Sequence, residues 1–266
     1  MMRVISLAIF MALVSCQDKP REQTFIDSNW VDLSYSFDSA TLYWPNNLIG
    51  FEHKTDAKGF TPGGFYYSSY SILTPEHGGT HLDAPVHFAE KGLSLDELPL
   101  ENLTGNAIVI DVSSNALKNR DYQITIADIE KWELMYGEIK PNTIILFKTG
   151  YGEFYPDREK YFGTAKKGLE AIPELHFPGI HPETTQFLVE KRNVKALGID
   201  TPSIDFGQSK DFKTHQILLG ANRPAFENVA SLNRLPPQGL YVVALPMKIG
   251  QGSGGPLRII AQVHID

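Results

Sequence analysis

Three histidines and an aspartate are crowded into one short stretch of the chain. His77, His81, Asp83 and His87 all fall within residues 77–88. Imidazole nitrogens and carboxylate oxygens are common ligands of divalent metals, and a site with three protein ligands leaves a position open for water or substrate. We therefore predict that His77, His81 and Asp83 hold a catalytic metal ion.

His87 is the member of this group that the ligand set does not require. The chain has no His-Glu-x-x-His motif that would place a glutamate beside the ligands as a base. His87 is the nearest side chain that titrates near neutral pH, so we predict that it acts as general acid and base. Spacing alone leaves open a histidine-rich turn in which each ring bonds a backbone carbonyl.

The backbone around these residues is predicted to be a loop. A spacing of four would put His77 and His81 on one face of a helix, but a Gly-Gly pair and Pro85 disfavour a helix. The segment 63–73, rich in Tyr and Ser, is predicted to be an extended strand. We expect this strand to deliver the chain to His77.

This stretch resembles the His-x-Gly-Thr-His-x-Asp-x-Pro-x-His-Phe signature of the cyclase family of metal-dependent hydrolases. Kynurenine formamidase and isatin hydrolase belong to that family. Other segments resemble the family in the same order, so the resemblance covers nearly all of residues 29–266. The matching residues are His77, Gly79, Thr80, His81, Asp83, Pro85, His87 and Phe88 in the signature, and 198–205, His215, Glu227 and 244–249 beyond it.

The resemblance implies a second metal position. In the kynurenine formamidase branch the signature aspartate bridges two ions, and the second ion is also held by a histidine and a glutamate twelve residues later. His215 and Glu227 have this spacing. Because the isatin hydrolase branch is described with one ion, the resemblance implies one or two ions, zinc or manganese, per subunit. The alternatives are a polar His215 on a short helix over 211–219 and a solvated Glu227.

Apolar, β-branched runs predict buried strands, with helices between them. Thr125 begins a capping box for a helix to about Met135, and Pro182 suits the first position of a helix to about Arg192. This alternation indicates an α/β domain, and the resemblance implies a swivelling β/β/α fold with a mixed, barrel-like sheet core and flanking helices. The predicted strands cover 107–112, 143–147, 194–199, 241–245 and 257–263.

Composition and charge narrow the class of protein. The 266 residues are 42% hydrophobic and 21% charged, as in ordinary globular domains, and they suffice for one large core. The net charge is -7, so there is no basic field for phosphates and we expect no nucleic-acid partner. The family resemblance implies a homodimer or a homotetramer.

The N-terminal residues are predicted to be a targeting signal. An apolar run over 4–14 follows Arg3 and is too short to span a bilayer. Residues 13–16, Leu-Val-Ser-Cys, resemble a bacterial lipobox, so we expect Cys16 to be lipidated and to anchor the protein in the cell envelope. A chance cysteine or an ordinary cleaved signal is the alternative. The predicted organisation is a signal over 1–16, a tether over 17–28 and the hydrolase domain over 29–266.

The resemblance also indicates a substrate pocket. Trp44-Pro45 is similar to the aromatic-proline element that lines the pocket of relatives, and Phe88 would add to an aromatic wall. We predict that Trp44 and Phe88 bind a small aromatic or cyclic amide, with core packing as the alternative. Additional chain around 154–180 favours the larger branch of the family. The export signal favours a scavenged cyclic amide, formamide or lactone over N-formylkynurenine.

The predicted reaction is hydrolysis of a carboxamide, formamide or lactam C–N bond. A divalent metal lowers the pKa of bound water towards roughly 7 and makes it a nucleophile at neutral pH. His87 would then need only to transfer protons. The alternative is an envelope protein that binds metal or ligand on the same fold without catalysis, but binding alone would not require His87.

Overall fold

The structure is a computed structural model, and it describes residues 29–264. The predicted signal, Cys16 and the predicted tether lie outside the described residues. Within residues 29–264, no helix is both long enough and apolar enough to cross a membrane.

Strands and helices alternate along most of the chain. The strands are β1 (Asn29–Asp32), β2 (Glu52–Phe60), β3 (Tyr66–Leu73), β4 (His81–Asp83), β5 (Thr104–Asp111), β6 (Gln123–Ile124), β7 (Ile144–Lys148), β8 (Gly179–Ile180), β9 (Ala196–Ile199), β10 (Ala225–Glu227), β11 (Leu240–Pro246) and β12 (Gly254–Val263). The helices are α1 (Leu100–Leu103), α2 (Ser113–Ala116), α3 (Ile126–Tyr136), α4 (Arg158–Phe162), α5 (Pro182–Lys191) and α6 (Lys213–Gly220).

Seven of the strands close into a mixed barrel. The order is β12-β11-β5-β7-β9-β10-β4, and β4 pairs back to β12 to complete the ring. β5, β7, β9 and β10 run parallel to one another, whereas β11 is antiparallel to β5 and β12, and β4 is antiparallel to β10 and β12. β1 adds to the edge of β12. The predicted α/β class and barrel-like core are confirmed.

Residues 144–147 of β7 and the whole of β9 are continuous apolar runs because both of their faces are buried. On β7, Ile144 and Leu146 belong to the barrel interior, while Ile145 and Phe147 pack beneath the helices. The predicted capping box is present, because the Thr125 and Asp128 side chains each accept a backbone N–H of the other residue. β5, β7, β9, β11 and β12 confirm the five predicted strands, and α3 and α5 confirm the two predicted helices. α6 is the short helix around His215 that was named only in the alternative for that residue.

The prediction of a loop throughout the histidine-rich stretch is wrong for three residues. His81–Asp83 forms β4, which pairs with β10 on one side and with β12 on the other. The strand exists because neighbours distant in sequence satisfy its backbone. A three-residue strand has no periodicity of its own from which it could be predicted.

The predicted strand over 63–73 is present as β3, but it lies outside the barrel. Among residues 29–264 it pairs only with β2, in a two-stranded hairpin with a turn over 61–65. After Leu73 the chain enters the segment that carries His77, as predicted.

Candidate metal centre

Barrel closure brings the predicted ligands together. In the pairing of β4 with β10, His81 lies opposite Glu227, and in the pairing with β12, Asp83 lies opposite Gly254. α6 begins shortly before His215 and packs next to β10. Ligand residues from three distant parts of the sequence therefore meet at one end of the barrel.

Asp83 is at the centre of this cluster. Its side chain is 1% exposed. Oδ1 lies 2.6 Å from His77 Nδ1 and 3.2 Å from His81 Nε2, and Oδ2 lies 3.2 Å from His215 Nε2. Burial alone would raise the pKa of Asp83, but the neighbouring His77 and His81 outweigh it and hold the pKa well below its usual value. Asp83 is therefore an anionic bridge among three imidazoles.

Glu227 forms the opposite wall of the cluster. Oε2 lies 3.4 Å from His81 Nε2, and Oε1 lies 3.1 Å from His215 Nε2 and accepts the Ile204 N–H at 2.8 Å. Burial, followed by the charge of Asp83, raises the pKa of Glu227. The alternative of a solvated Glu227 is excluded because the residue is 4% exposed.

In two histidines, a contact at Nδ1, the ring nitrogen that faces away from the cluster, fixes the orientation of the ring. His81 Nδ1 lies 3.0 Å from the Gly79 carbonyl, and His215 Nδ1 lies 2.6 Å from Asp205 Oδ2. Each Nδ1 can donate to its oxygen, which leaves the Nε2 lone pair facing Asp83 and Glu227, the arrangement usual for a metal-ligating histidine. His215 is thus not an ordinary polar residue on a helix.

The neighbouring carboxylates outweigh burial in setting the pKa of these two histidines. Burial lowers the pKa of His81, but Asp83 and Glu227 outweigh it and raise the pKa to about 9. Burial acts in the same direction on His215, and hydrogen bonds to Asp205, Asp83 and Glu227 raise its pKa well above the usual value. The site therefore favours a positive charge, carried by protons or by a cation in their place.

A divalent ion fits this donor set. Two groups of residues each offer three donor atoms that lie within 4.8 Å of one another. The first group is His77, Asp83 and His87, and the second is His81, Asp83 and Glu227. Both groups share Asp83, as the predicted bridging role requires. The groups differ from the predicted division of ligands: His87 joins His77, His81 falls with Glu227, and His215 is in neither group.

The predicted proton carrier, His87, follows β4 on a single 3-10 turn, Pro85–His87. Its ring stacks on His77 with 3.9 Å between the ring centroids. Burial, the largest influence, lowers the pKa of His87 to about 4. The ring is therefore neutral at physiological pH.

A cavity of about 330 Å³ opens onto the cluster. Trp44 and Phe88, the predicted substrate-binding residues, both line it, together with Phe212. The ring centroids of Phe88 and Phe212 are 5.6 Å apart, and those of Phe88 and His215 are 4.7 Å apart. The cavity is thus an aromatic slot with the ligand cluster at its base.

Asp205, Ser253 and Phe212 belong to this site, although the sequence analysis assigned none of them a role. Asp205 lies in a segment with family resemblance, and a carboxylate ten residues before His215 was a signal that could have identified it. Ser253 and Phe212 carried no such signal. The contact of Ser253 with His77 and that of Phe212 with Phe88 depend on how the barrel closes.

Comparisons with known proteins agree with this arrangement. A family model described as "Putative cyclase" matches residues 31–206. Kynurenine formamidase of Salinibacter ruber is 31% identical over 230 residues, which cover 86% of this chain and 95% of that protein. Isatin hydrolase of Roseibium aggregatum is 29% identical over 209 residues, which cover 76% of each protein.

Solved structures show the same fold. Isatin hydrolase A from Labrenzia aggregata, bound to benzyl benzoate, superposes with a TM-score of 0.78 at 30% identity, covering 89% of this chain and 94% of that chain. An isatin hydrolase bound to the product analogue thioisatinate superposes with a TM-score of 0.80 at 25% identity, covering 89% and 92%. Signature, barrel and sequence similarity together show that this chain belongs to the cyclase family.

Proposed function

We propose that this protein is a metal-dependent hydrolase that cleaves the C–N bond of a small aromatic or cyclic amide. The observation that carries the proposal is the buried cluster of histidines and carboxylates at the base of an aromatic cavity. A divalent ion bound there would supply Lewis acidity, which activates water and polarises the substrate carbonyl.

Each residue of the cluster has a distinct part in the proposed reaction. His77, His81, Asp83, His215 and Glu227 would hold one or two ions, zinc or manganese. His87, neutral because burial lowers its pKa, would accept a proton from the attacking water and then give it to the leaving nitrogen.

The cavity favours a flat, uncharged substrate. Trp44, Phe88 and Phe212 offer ring faces or edges to a planar group, while Asn46 and Asn47 supply neutral amides. No Lys or Arg among residues 29–264 lines the cavity, so neither an ammonium nor a guanidinium group of this part of the chain is placed to pair with a substrate carboxylate. These features support a lactam such as isatin over the charged amino acid N-formylkynurenine.

The test is an assay of the purified protein on isatin and N-formylkynurenine, with bound metals counted per chain by mass spectrometry. We expect hydrolysis that EDTA abolishes and added zinc or manganese restores, with isatin the better substrate. His176→Ala is the matched control, because His176 also faces a carboxylate, Asp121, but lies outside the cavity. Protein that binds metal but hydrolyses no amide would favour the binding-protein alternative.

We propose further that the protein is a homo-oligomer joined through the β2–β3 hairpin. Phe60 lies opposite Tyr66 on one face of the hairpin, and Tyr70 and Ile72 follow on that face at the strand period of two. Their exposed fractions are 80%, 53%, 40% and 51% in that order. A lone two-stranded hairpin is marginally stable in water, so a second copy of the chain is the proposed cover. Light scattering after gel filtration should give at least twice the chain mass.

The anchoring at Cys16 also stays a proposal. The fit of residues 13–16 to a lipobox supports it. Labelled fatty acid should be incorporated into the wild-type protein in a bacterial host and not into Cys16→Ala. Equal labelling of the two proteins, or none of either, would contradict envelope anchoring through this residue.

A further inference from the structure

A line of hydrogen bonds reaches His77 from the side away from Asp83. His77 Nε2 lies 2.9 Å from Ser253 Oγ. Glu76 Oε2 accepts from Ser253 Oγ at 2.7 Å and from the Ser253 backbone N–H at 2.9 Å. His77 is therefore held on both ring nitrogens, by Asp83 on one and by the Ser253–Glu76 pair on the other.

The direction of these bonds follows from the chemistry of the groups. A serine hydroxyl has one hydrogen, and here that hydrogen is donated to Glu76. Ser253 Oγ can then only accept from His77, so Nε2 carries a hydrogen. Nδ1 is left as the atom that faces Asp83 and the predicted metal position.

The surrounding backbone is shaped to bring Ser253 this close. A Cβ on Gly254 would lie 2.5 Å from a carbon of the His77 ring, and a Cβ on Gly252 would lie 3.2 Å from Glu76 Oε1. The Ser253 carbonyl accepts the Ala84 N–H at 2.8 Å, which fixes the start of β12 beside the end of β4. Glycine on both sides lets the backbone pack directly against the histidine and the glutamate.

We propose that Glu76 and Ser253 are positioning residues that aim Nδ1 of His77 at the metal. Partners behind a ligating histidine hold its ring and raise its basicity, and their loss typically weakens metal binding about 10- to 100-fold. The proposal rests on the metal site of the proposed function but not on which amide is cleaved. It assigns to the Glu-Ser pair the part that the Gly79 carbonyl has for His81 and Asp205 has for His215.

Zinc dissociation constants, measured on the full chain by competition with a chelator, test the proposal. Ser253→Ala should weaken zinc binding about 10- to 100-fold. Glu76→Ala should weaken it at least as much, because the freed hydroxyl can then donate to Nε2 and favour the wrong tautomer. Glu76→Gln keeps a carbonyl oxygen that can accept both bonds, so its affinity should stay within about threefold of wild type.

Ser71→Ala is the matched control. Ser71 Oγ donates to Asp56 Oδ2 at 2.6 Å, so it is also a serine-carboxylate pair, but it lies on the exposed hairpin. This variant should bind zinc as the wild type does.

A second readout separates positioning from general damage to the fold. In zinc-loaded, nitrogen-15-labelled protein, the Nε2–H of His77 should give a slowly exchanging signal, which Ser253→Ala should remove. The Nδ1–H signals of His81 and His215 should persist in the variant. Equal zinc affinity of wild type, Ser253→Ala and Glu76→Ala would overturn the positioning role alone, whereas a wild type that binds neither zinc nor manganese would overturn it together with the proposed function.

Discussion

The metal centre and the β2–β3 hairpin depart from the usual distribution of residues in opposite directions. The centre buries charge, since Asp83 and Glu227 are 1% and 4% exposed. The hairpin exposes large apolar side chains, among them Phe60 at 80% and Ile72 at 51%. Buried charges require partners or a metal, and exposed apolar patches mark interaction surfaces. We therefore propose that a cation completes the first region and a second copy of the chain covers the second.

Asp83→Asn should have the largest effect. Asp83 contacts His77, His81 and His215, so its replacement removes the bridge from both donor groups. Losing several kcal/mol of transition-state stabilisation corresponds to a fall in kcat/KM on the order of 10⁴-fold. Steady-state kinetics and metal content should fall together. Full activity in the variant would show that the buried charge does not serve a metal.

Phe60→Ser tests the exposed apolar surface of the β2–β3 hairpin. Covering a phenylalanine contributes roughly 2 kcal/mol, and a symmetric dimer contains the contact twice, so dimer dissociation should become about 1,000-fold more favourable. Sedimentation velocity over a dilution series measures this change. Leu134→Ser is the control, since Leu134 is 88% exposed but lies on α3, away from the hairpin. Unchanged dissociation of the Phe60 variant would reject the hairpin as the interface.

Asp205→Asn keeps the shape of the side chain that orients His215 but removes its charge. The 2.6 Å contact to Nδ1 becomes a weaker hydrogen bond, and metal affinity should fall about 10- to 100-fold. Chelator competition measures the change. Asp121→Asn, which alters the exposed pair with His176, should leave affinity unchanged. An unaffected Asp205→Asn variant would mean that His215 needs no orientation for metal binding.

Trp44→Ala tests the cavity wall. Trp44 lines the cavity and meets Phe212 with 6.1 Å between ring centroids. Because the proposed function has this ring touch the substrate but not the reacting bond, KM should rise about tenfold while kcat changes little. A fall in kcat alone would place Trp44 in the catalytic step instead.

Glu133→Gln is the reference for the buried carboxylates of the site, because Glu133 is an ordinary charge paired with Arg192. The hydrogen bonds from Arg192 hold the pKa of Glu133 below its usual 4.5, so the pair stabilises the fold above that pH and loses this contribution as the pH falls through the lowered pKa. Urea unfolding should show the variant about 1 kcal/mol less stable at pH 7. The difference should shrink at pH 3.5, and a constant difference would contradict the pairing.

The sequence predicts the long elements of this fold well, for identifiable reasons. Residues 144–147 of β7 are all apolar because each face meets a core, and α3 is marked by the capping box at Thr125. β4 and β10 have three residues each and were not predicted, because distant strands hold them in place. The local sequence pattern therefore locates the long strands of the barrel but not the short strands that close it.

The residues of the site likewise differ in how far the sequence indicates them. His77, His81, Asp83 and His87 are close in sequence and could be assigned from their spacing, whereas His215 and Glu227 were identified only through the family resemblance. Ser253 lies 176 residues from the ring it contacts, and neither spacing nor local pattern indicates such a partner. Residues that orient a ligand are thus harder to predict than the ligand itself.

Barrel closure also determines when during folding the centre can form. Contacts such as Thr80 to Asn228 and His77 to Ser253 close loops of 148 and 176 residues, and long-range contacts of this kind form slowly. A chain that ends before β12 would lack the support behind His77. The complete centre consequently exists only in the folded protein, so an ion would be acquired in the compartment where folding finishes. The metals available in that compartment would then decide which ion the protein carries.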